Sequence, residues 1–139
     1  MRGVALMLKL IELIIIAAAV DGKIDESEQE AIFRILTKHT QTPLVSKKQL
    51  AGIQNQLTLR FKEGETRQHI IEQAARSLDE NSRHLTYAIS LEVVMADGSL
   101  TVGELDYLRE QRSLFNLDTE KVEKIHFSAK LRHGFGTFD

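Results

Sequence analysis

The sequence predicts an all-α, single-domain bundle of about seven helices with an internal pseudo-two-fold helix-turn-helix repeat. Three observations carry that expectation. One proline and eight glycines leave long uninterrupted stretches in 139 residues, which suits helices. Apolar residues recur at helical spacing along most of the chain, as they do where one helix face is buried. No stretch alternates apolar and polar residues for long enough to argue a strand.

The first helix is expected over Gly3 to Val20, apolar on most faces and therefore central. Asp21-Gly22 breaks it. A second helix starts at Asp25, with Ile32, Phe33, Ile35 and Leu36 turned inward. Thr40 to Val45 holds the proline and reads as a loop. Ser46 is placed to cap a third helix to about Leu59, with Leu50, Ile53 and Leu57 on one face. Lys62 to Glu65 is a polar turn around Gly64, and Thr66 caps a fourth helix ending near Leu78. Asp79 to Ser82 reads as a turn. A fifth helix then runs to Ala96 with Leu85, Ile89, Val93 and Val94 as its apolar residues. Asp97-Gly98 breaks it, a sixth helix follows Thr101, and Asp118 caps a seventh to about Leu131. Residues 1–132 are expected to form the domain. Residues 133–139 are expected to be a tail, which Phe135 and Phe138 can dock.

Composition narrows the function. With 42% hydrophobic and 27% charged residues the chain is globular rather than disordered. It holds no cysteine, so disulfides and thiolate metal sites are excluded, and a reducing compartment is permitted; a cytoplasmic location is expected. A net charge of -2 and a pI near 6.2 give no basic footprint, so no nucleic-acid partner is expected. Lys9 and Glu12 interrupt the apolar N-terminal stretch and leave only Leu13 to Val20 uncharged. That run is far short of the roughly 20 residues a span needs. A buried core helix is the expected reading, with peripheral membrane association as the alternative.

The repeat is the most informative feature. Residues 20–32 read V-D-G-K-I-D-E-S-E-Q-E-A-I and residues 96–108 read A-D-G-S-L-T-V-G-E-L-D-Y-L. A single offset pairs Asp21 with Asp97, Gly22 with Gly98, Ile24 with Leu100, Glu28 with Glu104 and Ile32 with Leu108. Stability accounts for most of the pattern. Glycine permits the left-handed backbone that ends a helix. Asp25 and Thr101 are N-cap residues, each with a glutamate three positions later, which is the spacing of a capping box. Asp21 and Asp97 fit less well, because a carboxylate at a helix C-terminus faces the negative end of the helix dipole. A local side-chain-to-backbone bond offsets that cost in one reading. A bound cation offsets it in the other.

The string D-G-x-[IL]-x-x-x-E matches the second half of an EF-hand loop, but the first and third loop positions fall on Ala17 and Ala19, and on Val93 and Met95. None of these offers a side-chain oxygen, so a conventional calcium loop is not expected. A different all-oxygen site for Ca²⁺, Mg²⁺ or Mn²⁺ remains open, with Asp21, Asp25 and Glu28 in the first copy and Asp97 and Glu104 in the second. Glu12 and Glu92, on the preceding helices, are expected to point toward the central crossing.

At these turns the chain resembles the TerB family, the tellurite-resistance TerB proteins and their relatives. The resemblance rests on A-A-A-V-D-G-K-I-D-E-S-E at 17–28 and V-V-M-A-D-G-S-L-T-V-G-E at 93–104, and covers roughly residues 5 to 130. It implies a compact, internally duplicated helical domain whose acidic motif residues bind a metal ion. It also implies a place in stress response and membrane-associated complexes. Those motif residues carry over to Asp21, Asp25, Glu28, Asp97 and Glu104; Thr101 stands where an acidic residue is common, which weakens the second site. No H-P-D signature is present, so the co-chaperone activity of a relative that carries a J-domain does not transfer.

No other constellation carries chemistry. The histidines His39, His69, His84, His126 and His133 form no metal-ligand pair of the H-E-x-x-H kind. His126 is expected to pack beside Phe127, and Lys47, Lys48, Arg60 and Lys62 to lie on a solvated face. There is no G-x-S-x-G, P-loop or G-x-G-x-x-G motif, and the chain is not expected to be an enzyme. The expected ligands are another protein and a divalent cation. The competing reading is a protein-interaction domain whose turns are purely structural.

Overall fold

A computed structural model of the chain describes residues 2–20, 26–40, 46–96 and 100–133. Seven helices account for most of them: α1 (Arg2–Ala19), α2 (Glu26–Thr40), α3 (Lys47–Lys62), α4 (Arg67–Ser77), α5 (Glu80–Met95), α6 (Val102–Phe115) and α7 (Thr119–His133). No strand occurs among the described residues.

The two most apolar helices form the centre. α1 packs chiefly on α5, and this pair supplies much of the core. Ile11, Leu13, Ile14 and Ala17 of α1 are fully buried, as are Tyr87, Ile89, Leu91 and Met95 of α5. α2 and α3 pair with each other, and α2 also packs on α5. α4 lies against α1 and α6, while α6 and α7 each pack on α5. Ile32, Leu36, Leu50, Ile70, Leu108 and Phe115 bring the outer helices into the same core. No helix among the described residues is long and apolar enough to cross a membrane.

Local chemistry sets the helix ends. Ser46 and Gln49 form a complete capping box, with the Gln49 amide donating to Ser46 Oγ at 3.1 Å and the Ser46 amide to Gln49 Oε1 at 2.8 Å. Thr66 accepts from the His69 amide at 3.1 Å. Gly64, at φ +99°, closes the turn after α3 in a conformation that other residues resist. α6 ends on Asn116 in the left-handed region at φ 52°, which asparagine tolerates better than most residues.

Three boundaries differ from the sequence expectation. α3 continues to Lys62 rather than stopping near Leu59. Asp79 to Ser82 is not a turn: α5 begins at Glu80 because the Asp79 carboxylate accepts from the Ser82 amide at 2.8 Å and caps the helix. Leu85, named among the apolar residues of the fifth helix, is 41% exposed. Its neighbours Thr86 and Tyr87 face inward. His133, expected in the tail, is the last residue of α7.

The core also holds a polar chain that ties α1, α5 and α6 together. Tyr107 Oη donates to the Leu13 carbonyl at 2.7 Å. Gln111 Nε2 donates to Tyr107 Oη at 3.1 Å and to Ser90 Oγ at 3.3 Å. Burial pushes the Tyr107 hydroxyl well above its ordinary pKa, against the opposing effects of Gln111 and the Arg67 guanidinium, whose carbon lies 5.1 Å from the ring centre. This tyrosine therefore serves as a neutral hydrogen-bonding tie.

Candidate functional site

The two acidic corners join α1 to α2 and α5 to α6. Asp21, Asp25 and Asp97 lie outside the described residues. Their flanks are described. α1 ends at Ala19 and α5 at Met95; α2 starts at Glu26 and α6 at Val102. Both pairs of boundaries are separated by the same interval that separates Asp21 from Asp97. Glu28 and Glu104 are each the third residue of their helix. Glu28 is half-buried and Glu104 is 9% exposed.

At the second corner the glutamate has a defined task. Glu104 Oε1 accepts from the Thr101 amide at 2.9 Å, while the Glu104 amide donates to Thr101 Oγ1 at 3.1 Å. The pair is a complete capping box. It satisfies two of the amides that a helix start leaves without an intrahelical acceptor. Threonine does this without a charge.

Glu12 and Glu92, expected to point toward the central crossing, are each engaged by side chains of another helix. Arg60 Nη1 donates to Glu12 Oε2 at 2.6 Å, and Arg60 grips Glu65 through Nε at 2.8 Å and Nη2 at 2.7 Å. His69 Nδ1 adds a 3.2 Å contact to Glu65. The Glu65 hydrogen bond raises the Arg60 pKa despite partial desolvation. Reciprocally, Arg60 holds the Glu65 carboxyl down to about 2. Glu92, on α5, accepts from Arg132 Nε at 2.7 Å and meets His133 Nε2 at 2.9 Å. Burial pushes its pKa up, but the hydrogen bonds from His133 and Arg132 outweigh that and leave it below the usual carboxylate range. Each glutamate is thus matched to basic side chains from another helix. Among the described residues, no group of three histidine or carboxylate side chains is arranged to hold a metal ion.

Of the four basic residues expected on a solvated face, Lys47, Lys48 and Lys62 are exposed and Arg60 differs. Arg60 is not on a solvated face but braces α1 against α3. Lys47 pairs with Glu30 at the exposed surface.

A groove between α6 and α7 went unnoticed in the sequence. These helices pack on α5 but scarcely on each other. Two adjoining hollows of about 540 and 410 Å³ lie between them, sharing Arg112, Thr119 and Val122. Arg109 lines one, and His126, Phe127 and Lys130 line the other. Beneath them the Tyr87 hydroxyl accepts from Arg112 Nη1 at 2.6 Å and lies 2.7 Å from His126 Nε2. His126 is therefore a hydrogen-bonding partner of the core, not merely a packing residue. The available signal was the spacing of Arg109 with Arg112 and of His126 with Lys130, each of which puts two side chains on one helix face.

The described residues define a small all-helical domain whose two most apolar helices, α1 and α5, pack against each other at its centre. The chain belongs to the TerB family: the family model described as tellurite resistance protein TerB matches residues 7–126. Neither curated proteins nor solved structures give a match.

Proposed function

We propose that this TerB-family domain is a non-enzymatic module of a stress-response system related to tellurite resistance, and that it works by holding another protein. In this reading the D-G-x-[IL]-x-x-x-E turns are structural corners. The observation that carries it is the Glu104 carboxylate, whose Oε1 is 2.9 Å from the Thr101 amide in a complete capping box. A buried glutamate already bonded to its own helix start has a sufficient structural reason to be there.

A second reading keeps a divalent cation, Ca²⁺, Mg²⁺ or Mn²⁺, at Asp21, Asp25 and Glu28, with a weaker counterpart at Asp97 and Glu104. It is favoured by the position of Glu28, the third residue of α2, on the helix that follows two nearby aspartates. Thermal melts in millimolar Ca²⁺, Mg²⁺ and Mn²⁺ separate the two. A cation that binds only the folded chain raises the midpoint with concentration. The structural reading expects no movement. A rise abolished by Asp21→Asn or Asp97→Asn overturns it in favour of the cation.

A further inference from the structure

We infer that the groove between α6 and α7 is a docking site for a short acidic, partly apolar segment of another protein. The inference rests on the reading of the domain as a protein-holding module, and it names the site and the partner's chemistry. Three observations lead to it. First, α6 and α7 diverge over α5, so side chains from both line the space between them. Second, that lining carries more base than acid. Arg109, itself 3.1 Å from Asp106, and Arg112 stand on the α6 wall, and Lys130 stands on the α7 wall beside the neutral-or-charged ring of His126; Glu123 is the lining carboxylate among the described residues. The chain as a whole carries a net charge of -2, so the bias belongs to the groove and not to the composition.

Third, Arg112 has no carboxylate partner among the described residues. Arg60, Arg67 and Arg132 each pair with a glutamate from elsewhere in the fold. Arg112 instead donates one N–H to the neutral Tyr87 hydroxyl and lies over its ring, 5.6 Å from the centre. A guanidinium carries five N–H donors in a fixed fork suited to a carboxylate. Tyr87 anchors the group at the groove floor and leaves the rest of the fork without an ionic partner. The apolar component comes from Val122 and Phe127 in the groove and from Leu131 one turn beyond Phe127. Phe127 is 65% exposed and Leu131 71%, an apolar pair that water covers poorly. A peptide that alternates carboxylates with aliphatic side chains meets both demands: its acids reach the cations, and its apolar residues cover Phe127 and Leu131.

The test is a ¹⁵N NMR titration of the full chain with a blocked peptide of sequence Glu-Leu-Glu-Leu-Glu, observing backbone amides and the arginine Nε–H signals. Saturable shifts confined to Arg109, Arg112, Val122, His126, Phe127 and Lys130 are expected, and Arg112→Gln should weaken binding roughly fivefold. Arg109→Gln serves as a second groove variant should Arg112→Gln disturb folding. Arg76→Gln removes the same charge from the exposed outer side of α4 and should leave binding unchanged. The proposal is overturned if the peptide causes no shifts, if Gln-Leu-Gln-Leu-Gln binds equally well, or if Arg76→Gln weakens binding as much as Arg112→Gln. Inorganic phosphate that reproduces the shifts and displaces the peptide at equal concentration also overturns it, in favour of a small-anion site. A failed titration with an unmoved cation melt removes the groove alone; the module reading falls on the melt.

Discussion

Arg60 and Glu12 are 48 residues apart in sequence, yet Arg60 Nη1 donates to Glu12 Oε2 at 2.6 Å and ties the third helix to the central one. The other Glu12 oxygen is buried and has no hydrogen-bond partner, so this carboxylate depends on Arg60 for its compensation. Arg60→Met should therefore cost about 2 kcal/mol, less than a fully buried pair would lose because both side chains keep some exposure. The double variant Glu12→Leu with Arg60→Leu should recover part of that loss, since the Glu12 charge is no longer stranded while Glu65 keeps only its His69 contact. Urea unfolding of the two proteins checks it. Equal destabilisation of both would show that packing of the arginine stem, not the charge, is what matters.

The same arginine gives the fold an acid-sensitive limb. Glu65 has its pKa lowered from 4.5 to about 2 in the folded chain. Across that interval the unfolded state binds more protons than the native state, so stability rises with pH. The contribution is complete above about pH 4.5 and is lost as pH falls toward 2. Glu65→Gln should flatten this part of the stability–pH curve and leave the slope above pH 5 alone. Chemical denaturation at a series of pH values measures it. An unchanged slope between pH 4.5 and 2 would place the acid sensitivity elsewhere, with Glu92 the next candidate because its shift has the same sign.

What the sequence disclosed depended on range. Helices, and the caps Ser46, Thr66 and Thr101, depend on residues three or four apart, and periodicity and cap chemistry expose such relations directly. The exposure of Leu85 was not legible, because helical spacing gives a face but not which neighbour covers it. The pairings of Glu12 with Arg60 and of Glu92 with Arg132 and His133 join residues about 40 or more positions apart, and no local pattern encodes them. The groove escaped for the same reason: its cations belong to two helices that share only a common floor. At the corners, spacing did locate Glu104 and its cap, because that bond is local.

Tyr107 makes a further prediction. Its hydroxyl is the hub between the Leu13 carbonyl and Gln111. Tyr107→Phe keeps the ring and removes the hub, leaving the Gln111 amide with Ser90 alone at 3.3 Å. The Leu13 carbonyl sits within α1 and retains its helical bond, so the cost should be about 1–2 kcal/mol, that of a buried hydrogen bond plus a weakened donor. Hydrogen exchange locates the effect: protection should fall in α1 and α6 more than in α3. A uniform fall would mean that Tyr107 acts through global packing and not as a tie between those two helices.

The capping role of Glu104 is separable from a cation role by one atom. Glutamine serves the N3 position of a capping box as glutamate does, and Ser46 with Gln49 shows that pairing in this same chain. Glu104→Gln should therefore change stability by no more than about 0.5 kcal/mol, part of it the loss of a favourable charge near the helix start. Thr101→Ala, which removes the side-chain acceptor, should cost about 1 kcal/mol. A metal-binding carboxylate predicts the opposite order in the presence of millimolar divalent cation. There Glu104→Gln would forfeit the ligand-dependent stabilisation, and the loss would grow with cation concentration. Measuring both variants with cation and with chelator thus assigns the carboxylate: a threonine loss that exceeds the glutamate loss in both media marks a cap, and a glutamate loss that appears only with cation marks a ligand.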